Sequence, residues 1–282
     1  MSFFKIKSYA KLNLSLNVIK KIPKKNHLIE SLITFIELHD LIHIRQIKSQ
    51  KHIIRFVGKF SKNINKNNTV QKLLNLLDEK KILNGKKFEI KIIKNIPQKS
   101  GMAGGSINAS RIMKFFLSKK IINDNENSAN NIMKSIGSDV PLGLNIQNLI
   151  LSKNNKVKKI KKKLKLYTLL VKPNFGCSTK KIYFHNKIRS YPNYKNPKVS
   201  LFSIKNLIKS KNDLEIAAFK LYPKLKNIKL FLYTMPDVIF VRMTGSGSCI
   251  VAYYQTKKKA LKGLKLFKKK YKIYWCFVSK NI

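Results

Sequence analysis

The sequence predicts an α+β protein with two lobes and a site in the cleft between them, because strands come first and then alternate with helices. The alternating leucines within residues 3–18 are typical of a half-buried strand, with Lys11 and Asn13 on the opposite face. Residues 96–116 join a strand to a helix through a glycine-rich loop. From about residue 149 the pattern of strands and helices begins again, which indicates the second lobe.

The first half of the chain carries four further apolar runs that predict strands, at residues 32–36, 41–44, 53–57 and 88–93. Residues 68–77 predict an amphipathic helix with its leucines on one face and Asn68 or Thr69 as the N-cap. Further helices are expected at residues 109–116 and 128–136, and the second of these ends at Gly137.

The second half of the chain predicts five strands and five helices. The strands are expected at residues 149–151, 166–171, 238–243, 249–253 and 273–278. The helices are expected after a cap at Ser178 or Thr179 and at residues 204–209, 213–221, 224–233 and 257–270. Residues 190–199 contain two prolines and predict a surface loop.

The apolar runs and the cysteines of the sequence indicate the compartment of the protein. The 282 residues contain no apolar run long enough for a membrane helix and no signal peptide, so we expect a cytoplasmic protein. The three cysteines, Cys177, Cys249 and Cys276, lack metal-binding spacing and suit a reducing compartment.

The formal net charge of +48 is the feature that could indicate a nucleic-acid partner. Only five of the 60 basic residues are arginine, however, and base readout favours the arginine fork. Asparagine and isoleucine are abundant, as expected when AT-rich codons dominate, and the lysines are spread along the whole chain. We therefore expect no specific nucleic-acid partner and no membrane partner.

The glycine-rich loop, with Gly101, Gly104, Gly105 and Ser106, has the composition of a phosphate cradle. Glycines let backbone N–H groups approach an anion, and the first turn of the following helix adds unpaired N–H donors. A bare glycine cluster can equally be an ordinary tight turn. Residues 244–248 form a second glycine turn, which is either a hairpin or a further source of N–H donors.

Asp139 is conspicuous because the chain contains only 12 acidic residues. A Ser-Asp-x-Pro setting also suits a turn or N-cap aspartate. Phosphoryl transfer to a hydroxyl, however, needs a base near the phosphate loop, and Asp139 is a candidate for it.

Six segments in a fixed order resemble the GHMP kinases, a family named after galactokinase and the homoserine, mevalonate and phosphomevalonate kinases. The segments are SYAKLNLSLNV, NHLIESL, IPQKSGMAGGSINAS, IGSDVPLGL, KPNFGCSTKKIY and MTGSGSCIVAYY. The opening AKLNL, the GSDVP segment and NDLE at residues 212–215 make the chain most similar to the members that act on a cytidine diphosphate ester in isoprenoid biosynthesis. Each motif is weak alone, but the order of all six is specific.

The resemblance implies a fold and a reaction. The fold would pair an N-terminal lobe like ribosomal protein S5 domain 2 with a ferredoxin-like C-terminal lobe. Residues 1–152 would form the ATP-binding domain and residues 153–282 the C-terminal domain, with the last strand able to return to the first lobe. The reaction would be ATP- and Mg²⁺-dependent transfer of the γ-phosphoryl group to the 2-hydroxyl of the polyol part of the substrate, by a monomer or weak homodimer.

The resemblance also assigns residues to roles. Asp139 would accept the hydroxyl proton, and Lys11 would lie beside it and offset charge on the transferred group. The nucleotide would be bound by Asn68, Pro97, Lys99, Ser100, Gly101, Met102, Ala103, Gly104, Gly105 and Ser106. The small-molecule substrate would be bound by Asn13, His27, Thr179, Tyr183, Thr244, Gly245 and Gly247. His27 would hydrogen-bond the cytosine edge and Tyr183 would stack on the ring, and no resident metal ligand is assigned.

The chain departs from the family pattern at three positions. Asn26 stands where the family has a stacking tyrosine, Ala103 replaces a loop glycine, and Ile107 replaces a hydroxyl residue. Ala103 requires a negative φ or some strain. Two alternatives stay open: a kinase for another small alcohol, of the homoserine or mevalonate type, and a lysine-rich nucleic-acid-binding protein.

Overall fold

The computed structural model describes residues 2–20, 22, 27–123, 125–153, 156–162, 164–194 and 197–282. Within these ranges the chain forms strands and α-helices, which confirms the α+β prediction. The strands are β1 (Phe4–Asn13), β2 (Asn17–Lys20), β3 (Leu28–Ile47), β4 (Ile53–Val57), β5 (Lys87–Ile93), β6 (Asn148–Leu151), β7 (Val157–Ile160), β8 (Tyr167–Lys172), β9 (Phe240–Met243), β10 (Ile250–Tyr254) and β11 (Trp275–Lys280). The helices are α1 (Thr69–Glu79), α2 (Gly104–Ser118), α3 (Glu126–Ile136), α4 (Thr179–His185), α5 (Ile204–Lys209), α6 (Glu215–Leu221), α7 (Pro223–Tyr233) and α8 (Lys257–Lys270).

The chain divides into two compact units, and each is built from separate stretches of sequence. Unit 1 contains Met1–Ala10, Leu38–Gln98 and Ala103–Ile146. Unit 2 contains Lys11–Glu37, Lys99–Met102 and Gln147–Ile282. Strands β1 and β3 therefore each contribute residues to both units. The assignment of enzyme domains to residues 1–152 and 153–282 stays a prediction.

Unit 1 is a sheet covered by helices. The second half of β3 pairs antiparallel with β5, and β4 pairs parallel with β5. Helices α1, α2 and α3 bury their apolar faces in one core with these strands. The Asn68 side chain accepts hydrogen bonds from the backbone N–H of Val70 (3.0 Å) and Gln71 (3.1 Å), which confirms Asn68 as the N-cap of α1.

Unit 2 contains an antiparallel sheet in the order β11-β8-β10-β9. One core joins this sheet to residues of α4, α6, α7 and α8. In the same unit, the first half of β3 pairs antiparallel with β2 and with β6, and β6 pairs with β7. The Ser178 hydroxyl accepts a hydrogen bond from the Lys181 N–H (3.3 Å), so of the two predicted candidates, Ser178 and Thr179, Ser178 is the cap of α4.

Strand β3 is one continuous strand of 20 residues where the sequence predicted two short strands. The prediction separated the two strands at the polar residues Glu37, His39 and Asp40, which interrupt the apolar pattern. In the structure Asp40 is fully buried and is hydrogen-bonded to residues beyond the end of β5. A buried carboxylate with several donors is compatible with a strand interior, and these donors are distant in sequence.

The predicted strand at residues 3–18 is also different in detail. It is interrupted between β1 and β2, and it is buried on both faces from Ala10 to Val18 rather than on one. The polar face is buried because Lys11, Asn13 and Ser15 find hydrogen-bond partners inside unit 2. Strand β7 is a further addition, because it lies between the strands expected at residues 149–151 and 166–171, where no element was predicted. Among the described residues, no helix combines the length and apolar content that a membrane span needs.

Candidate active site

In unit 1, Asp40 fixes the chain at the end of β5. Its Oδ1 accepts hydrogen bonds from the backbone N–H of Asn95 (2.8 Å) and Ile96 (2.9 Å). Its Oδ2 accepts from the ammonium of Lys94 and from Nδ2 of Asn108 in α2 (3.0 Å). One buried carboxylate therefore ties the strand before the glycine-rich loop to the helix after it. Sequence reasoning missed Asp40, although a buried-strand pattern around a scarce acid was a signal for it.

The second half of the glycine-rich loop forms the N-terminus of α2. Ala103 precedes the helix with a left-handed backbone (φ 55°, ψ 25°), so of the two predicted outcomes the chain adopts the strained one. The Ala103 carbonyl accepts the first helical hydrogen bond, from the N–H of Ile107 (2.9 Å). The N–H groups of Gly104, Gly105 and Ser106 lie in the first helical turn, where such groups can bind an anion.

The departure at Ile107 concerns the protein interior. The Ile107 side chain is fully buried on α2, and the short 3₁₀ helix Pro141–Leu144 packs against the same helix. A hydroxyl residue at position 107 would need a partner in this apolar setting, so isoleucine suits the position in this chain.

Asp139 lies in the turn between α3 and this 3₁₀ helix. The turn is closed by a hydrogen bond from the Val140 N–H to the Gly137 carbonyl (3.1 Å), and Asp139 is partly exposed. Asp139 is thus a turn residue rather than the N-cap of an α-helix. The turn follows α3 and leads into the 3₁₀ helix that packs on α2. This packing fixes the position of Asp139 within unit 1.

In unit 2, the first half of the glycine-rich loop contacts the second glycine turn. The backbone N–H of Ser248 donates to the Lys99 carbonyl (3.2 Å), and the N–H of Cys249 donates to the Ser100 carbonyl (3.2 Å). Gly101, with φ 77°, lies so close to Thr244 that an added Cβ would overlap the Thr244 carbonyl group. The first half of the glycine-rich loop and the second glycine turn, separate in sequence, therefore form one local structure within unit 2.

Lys11 and Asn13 lie beside this structure. The Lys11 ammonium donates to Oδ1 of Asn13 (2.6 Å), and the Asn13 backbone N–H donates to Oγ1 of Thr244 (3.0 Å). The Lys11 backbone N–H donates to the Met102 carbonyl (3.3 Å). Lys11 and Asn13 are each only 3% exposed, so their side chains are held by neighbours and not by solvent.

The residues predicted to bind a cytosine also lie together in unit 2. The rings of His27 and Tyr183 are stacked, with centroids 4.6 Å apart and planes at 24°. Thr179, at the start of α4, shares a hydrogen bond with the Ser246 hydroxyl (2.7 Å). The departure at Asn26 lies outside the described residues.

The NDLE segment acts as a scaffold in unit 2, a role that sequence reasoning did not assign. Nδ2 of Asn212 donates to the carbonyls of Met243 and Gly245, at 2.8 Å each. Asp213 accepts from the Val18 N–H (2.8 Å), and Glu215 accepts from the Met243 N–H (2.8 Å). The clustering of two acids in a chain so poor in acids was the available signal.

The cysteines near the site have the properties of packing residues. Cys177 is buried near Gly247, and burial raises the pKa of its thiol to about 11. Burial likewise raises the pKa of the Cys249 thiol to about 12. Thiols with such a high pKa are protonated at neutral pH and are poor nucleophiles.

The predicted site residues fall into two local groups, one in each compact unit. The group in unit 1 contains Asn68, Pro97, Ala103, Gly104, Gly105, Ser106 and Asp139. The group in unit 2 contains Lys11, Asn13, His27, Lys99, Ser100, Gly101, Met102, Thr179, Tyr183, Thr244, Gly245 and Gly247.

The chain is similar along its whole length to curated proteins with one name. It is 52% identical over 282 residues to a 4-diphosphocytidyl-2-C-methyl-D-erythritol kinase of Pelagibacter ubique (strain HTCC1062), and the match covers 100% of both chains. It is 31% identical over 288 residues to the protein of the same name from Anaplasma marginale (strain Florida), covering 98% of this chain and 96% of the other. No family model matches the chain.

Solved structures agree on the fold. A crystal structure of a 4-(cytidine 5'-diphospho)-2C-methyl-D-erythritol kinase superposes with a TM-score of 0.80 at 18% identity, covering 99% of both chains. Homoserine kinase from Cytophaga hutchinsonii gives a TM-score of 0.71 at 14% identity, covering 100% of this chain and 95% of the other. Mevalonate kinase from Methanococcus jannaschii gives 0.68 at 18% identity, covering 100% and 99%. At such low identities these likenesses show that the GHMP kinase fold is shared.

Proposed function

This chain belongs to the family of 4-diphosphocytidyl-2-C-methyl-D-erythritol kinases, and we propose from that membership that it transfers the γ-phosphoryl group of ATP to the 2-hydroxyl of this cytidine diphosphate ester. The observation that carries the proposal is the 52% identity over the full length of both chains. The reaction belongs to the non-mevalonate route to isoprenoids. The fold alone does not choose the substrate, since homoserine and mevalonate kinases have it too.

Asp139 is the proposed general base. Its carboxylate is partly exposed in a turn that is fixed by a backbone hydrogen bond and by the packing of the next helix on α2. A carboxylate in such a position can accept the proton of the attacking hydroxyl while the rest of the turn stays in place.

Lys11 is the proposed electrostatic partner of the transferred group. Its ammonium is held by Oδ1 of Asn13 and is almost entirely removed from solvent. A cation fixed in a water-poor setting stabilises developing negative charge more strongly than a mobile surface lysine. The same contact makes Asn13 part of the proposed site.

The glycine-rich loop is the proposed triphosphate site of ATP, the nucleotide that kinases of this family use. The first turn of α2 offers the N–H groups of Gly104, Gly105 and Ser106. Asn68 and residues 97–103 complete the proposed nucleotide-binding set. Asn68 caps α1, and the neighbouring Thr69 hydroxyl donates to the Gly105 carbonyl (2.7 Å), which supports a common location for Asn68 and Gly105 within unit 1.

Mg²⁺ is the proposed companion of ATP. Mg²⁺ bound with a nucleotide takes most of its ligands from phosphates and water and one or two from the protein. The Ser106 hydroxyl and the Asp139 carboxylate, both partly exposed in unit 1, are of the oxygen type that fits this ion. When bound, Mg²⁺ would offset charge on the phosphate oxygens.

The base of the substrate is proposed to bind at His27 and Tyr183. The two rings are stacked on each other, so an aromatic surface and an imidazole edge occur together, which supports binding of a pyrimidine by stacking and hydrogen bonding. Thr179, Thr244, Gly245 and Gly247 are proposed to contact the rest of the substrate.

We also infer a cytoplasmic location, which the three unpaired cysteines support. A monomer or weak homodimer stays a prediction.

A substrate panel tests the proposed function. ADP release by the wild type is measured at moderate salt with 4-diphosphocytidyl-2-C-methyl-D-erythritol, homoserine and mevalonate in parallel. We expect release that depends on the cytidine ester and is at background with the other two alcohols. Release with homoserine or mevalonate but not with the ester would refute the substrate assignment.

A further inference from the structure

Ser31 is a fully buried serine on β3 that contacts the side chain of Asn13. Its hydroxyl oxygen lies 2.7 Å from Nδ2 of Asn13, and the opposite end of that amide, Oδ1, lies 2.6 Å from the ammonium of Lys11. The Asn13 amide group therefore lies between Ser31 and Lys11 in unit 2. All three residues are at most 3% exposed.

The hydrogen-bond partners of Ser31 determine which end of the amide faces Lys11. The Ser31 hydroxyl donates to the Ser15 carbonyl at 2.5 Å, and the next oxygen within reach is the Leu32 carbonyl at 3.5 Å. Carbonyl oxygens only accept, so the single proton of Ser31 is committed and its oxygen is left to accept. The amide must then present Nδ2 to Ser31, which leaves Oδ1 for the Lys11 ammonium.

Ser15, whose carbonyl accepts that proton, is itself held in place through its side chain. The Ser15 hydroxyl accepts from the Leu32 N–H (3.0 Å) and shares a hydrogen bond with the Tyr194 hydroxyl (2.8 Å). Tyr194 is fixed in turn by the buried carboxylate of Glu30, which accepts from the N–H of Asn193 (2.7 Å) and of Tyr194 (3.1 Å). The backbone N–H of Asn13 is fixed separately by Thr244.

We propose that Ser31 is a positioning residue of the kinase, which fixes the orientation of the Asn13 amide and through it the ammonium of Lys11. The inference rests on the proposed function, because it assigns Lys11 to phosphoryl transfer. Without the Ser31 oxygen, Nδ2 of Asn13 loses its acceptor, so among the described residues the amide is fixed only by its contact with the lysine and can turn Oδ1 away from the ammonium. The buried lysine would then lose an acceptor.

The test compares Ser31→Ala with Ser31→Thr and with Ser8→Ala. Ser8 is also a fully buried serine, on β1, and within the described part of the chain its hydroxyl makes no hydrogen bond. We expect Ser31→Ala to lower kcat about 10- to 100-fold, the range that an unsatisfied buried donor produces. The KM for ATP should change by less than about twofold, because the amide is not assigned to the nucleotide.

Threonine should restore most of the kcat, since it keeps the hydroxyl and suits a strand. Ser8→Ala should retain the wild-type kcat. In NMR spectra, the side-chain NH₂ signals of Asn13 should shift and exchange faster with solvent in Ser31→Ala and not in Ser8→Ala.

The proposal is overturned if Ser31→Ala keeps the wild-type kcat, if Ser31→Thr is as impaired as Ser31→Ala, or if the Asn13 NH₂ signals are unchanged. An equal loss in Ser8→Ala would assign the effect to general damage of the core and would also overturn it. A wild type without kinase activity would refute the proposed function instead, and the Asn13 signals would still decide whether Ser31 orients that amide.

Discussion

Gly101 has two separate reasons to be glycine, and the chain allows them to be told apart. Its φ is 77°, and an added Cβ would overlap the Thr244 carbonyl oxygen and lie 2.9 Å from its carbon. Gly85 has nearly the same φ, 76°, but no described atom lies within 4 Å of an added Cβ. The two positions share a backbone conformation that would strain an alanine, and only Gly101 lies close to another backbone segment.

Gly101→Ala should therefore lower the free energy of unfolding much more than Gly85→Ala. The left-handed backbone alone should cost about 1–2 kcal/mol at both positions, and the overlap with the Thr244 backbone adds to this only at position 101. Urea unfolding of the two variants, with ADP release as a second readout, measures the difference. Equal losses of stability would show that the contact between the glycine-rich segments is not formed.

Replacing Ala103 with glycine should not lower the stability of the protein as the same replacement does at an ordinary helical position. Ala103→Gly relieves a positive φ, and part of the gain is offset by the entropy of the unfolded chain, so stability should be unchanged or rise by up to about 1 kcal/mol. Ala109→Gly, within α2, should lose about 1 kcal/mol. Thermal unfolding of both variants checks the signs, and a loss at position 103 as large as that at 109 would contradict the strained backbone.

At the scale of elements, helix α8 contains a glycine at a position where strand β10 leaves no room for a side chain. An added Cβ at Gly263 would overlap the hydroxyl oxygen of Tyr254 in β10 and lie 2.9 Å from Cζ. Among the described residues the Tyr254 hydroxyl has no hydrogen-bond partner, and burial raises its pKa to about 12. The hydroxyl group thus contributes crowding and no hydrogen bond.

Gly263→Ala should destabilise the protein by about 1–3 kcal/mol, although the same change in an exposed helix usually stabilises it. Tyr254→Phe alone should be neutral or stabilising, because it removes a buried unsatisfied hydroxyl. The double variant should recover part of the loss. A double-mutant cycle in urea measures the coupling, and strictly additive changes would refute the contact.

Elements with a local signal could be predicted from the sequence, and those with a distant partner could not. The cap at Asn68, the strand before the glycine-rich loop and the bounds of α8 follow from capping and periodicity. The continuity of β3 depends on Asp40, whose partners lie more than 50 residues away. The same limit applies to the site: motifs supplied its residues, but the contact of Gly101 with Thr244 joins segments 143 residues apart.

At the scale of the whole molecule, the net charge of +48 opposes folding through self-repulsion. Twelve acidic residues can neutralise only a fraction of 60 basic ones, and several of these acids, such as Asp40 and Glu215, are already engaged inside the units. Mobile counterions must supply the remaining screening.

The thermal midpoint should therefore rise as NaCl is increased from about 10 mM to about 200 mM, since the Debye length falls from about 30 Å to below 10 Å. Calorimetry in NaCl and in KCl, with sucrose at matched osmolality as the uncharged control, measures this. A midpoint that rises equally in sucrose, or stays flat in both salts, would show that charge repulsion does not limit stability.

The most direct test of the account is a coupled ADP-release assay with 4-diphosphocytidyl-2-C-methyl-D-erythritol, comparing the wild type with Asp139→Asn. Loss of a general base lowers turnover by about 10²- to 10⁴-fold, while ATP binding and the thermal midpoint should stay near the wild-type values because Asp139 lies in a partly exposed turn. We predict substrate-dependent release by the wild type and release near background in the variant. Full turnover by Asp139→Asn would contradict the assignment of the base, and a folded, ATP-binding wild type that releases no ADP would contradict the kinase itself.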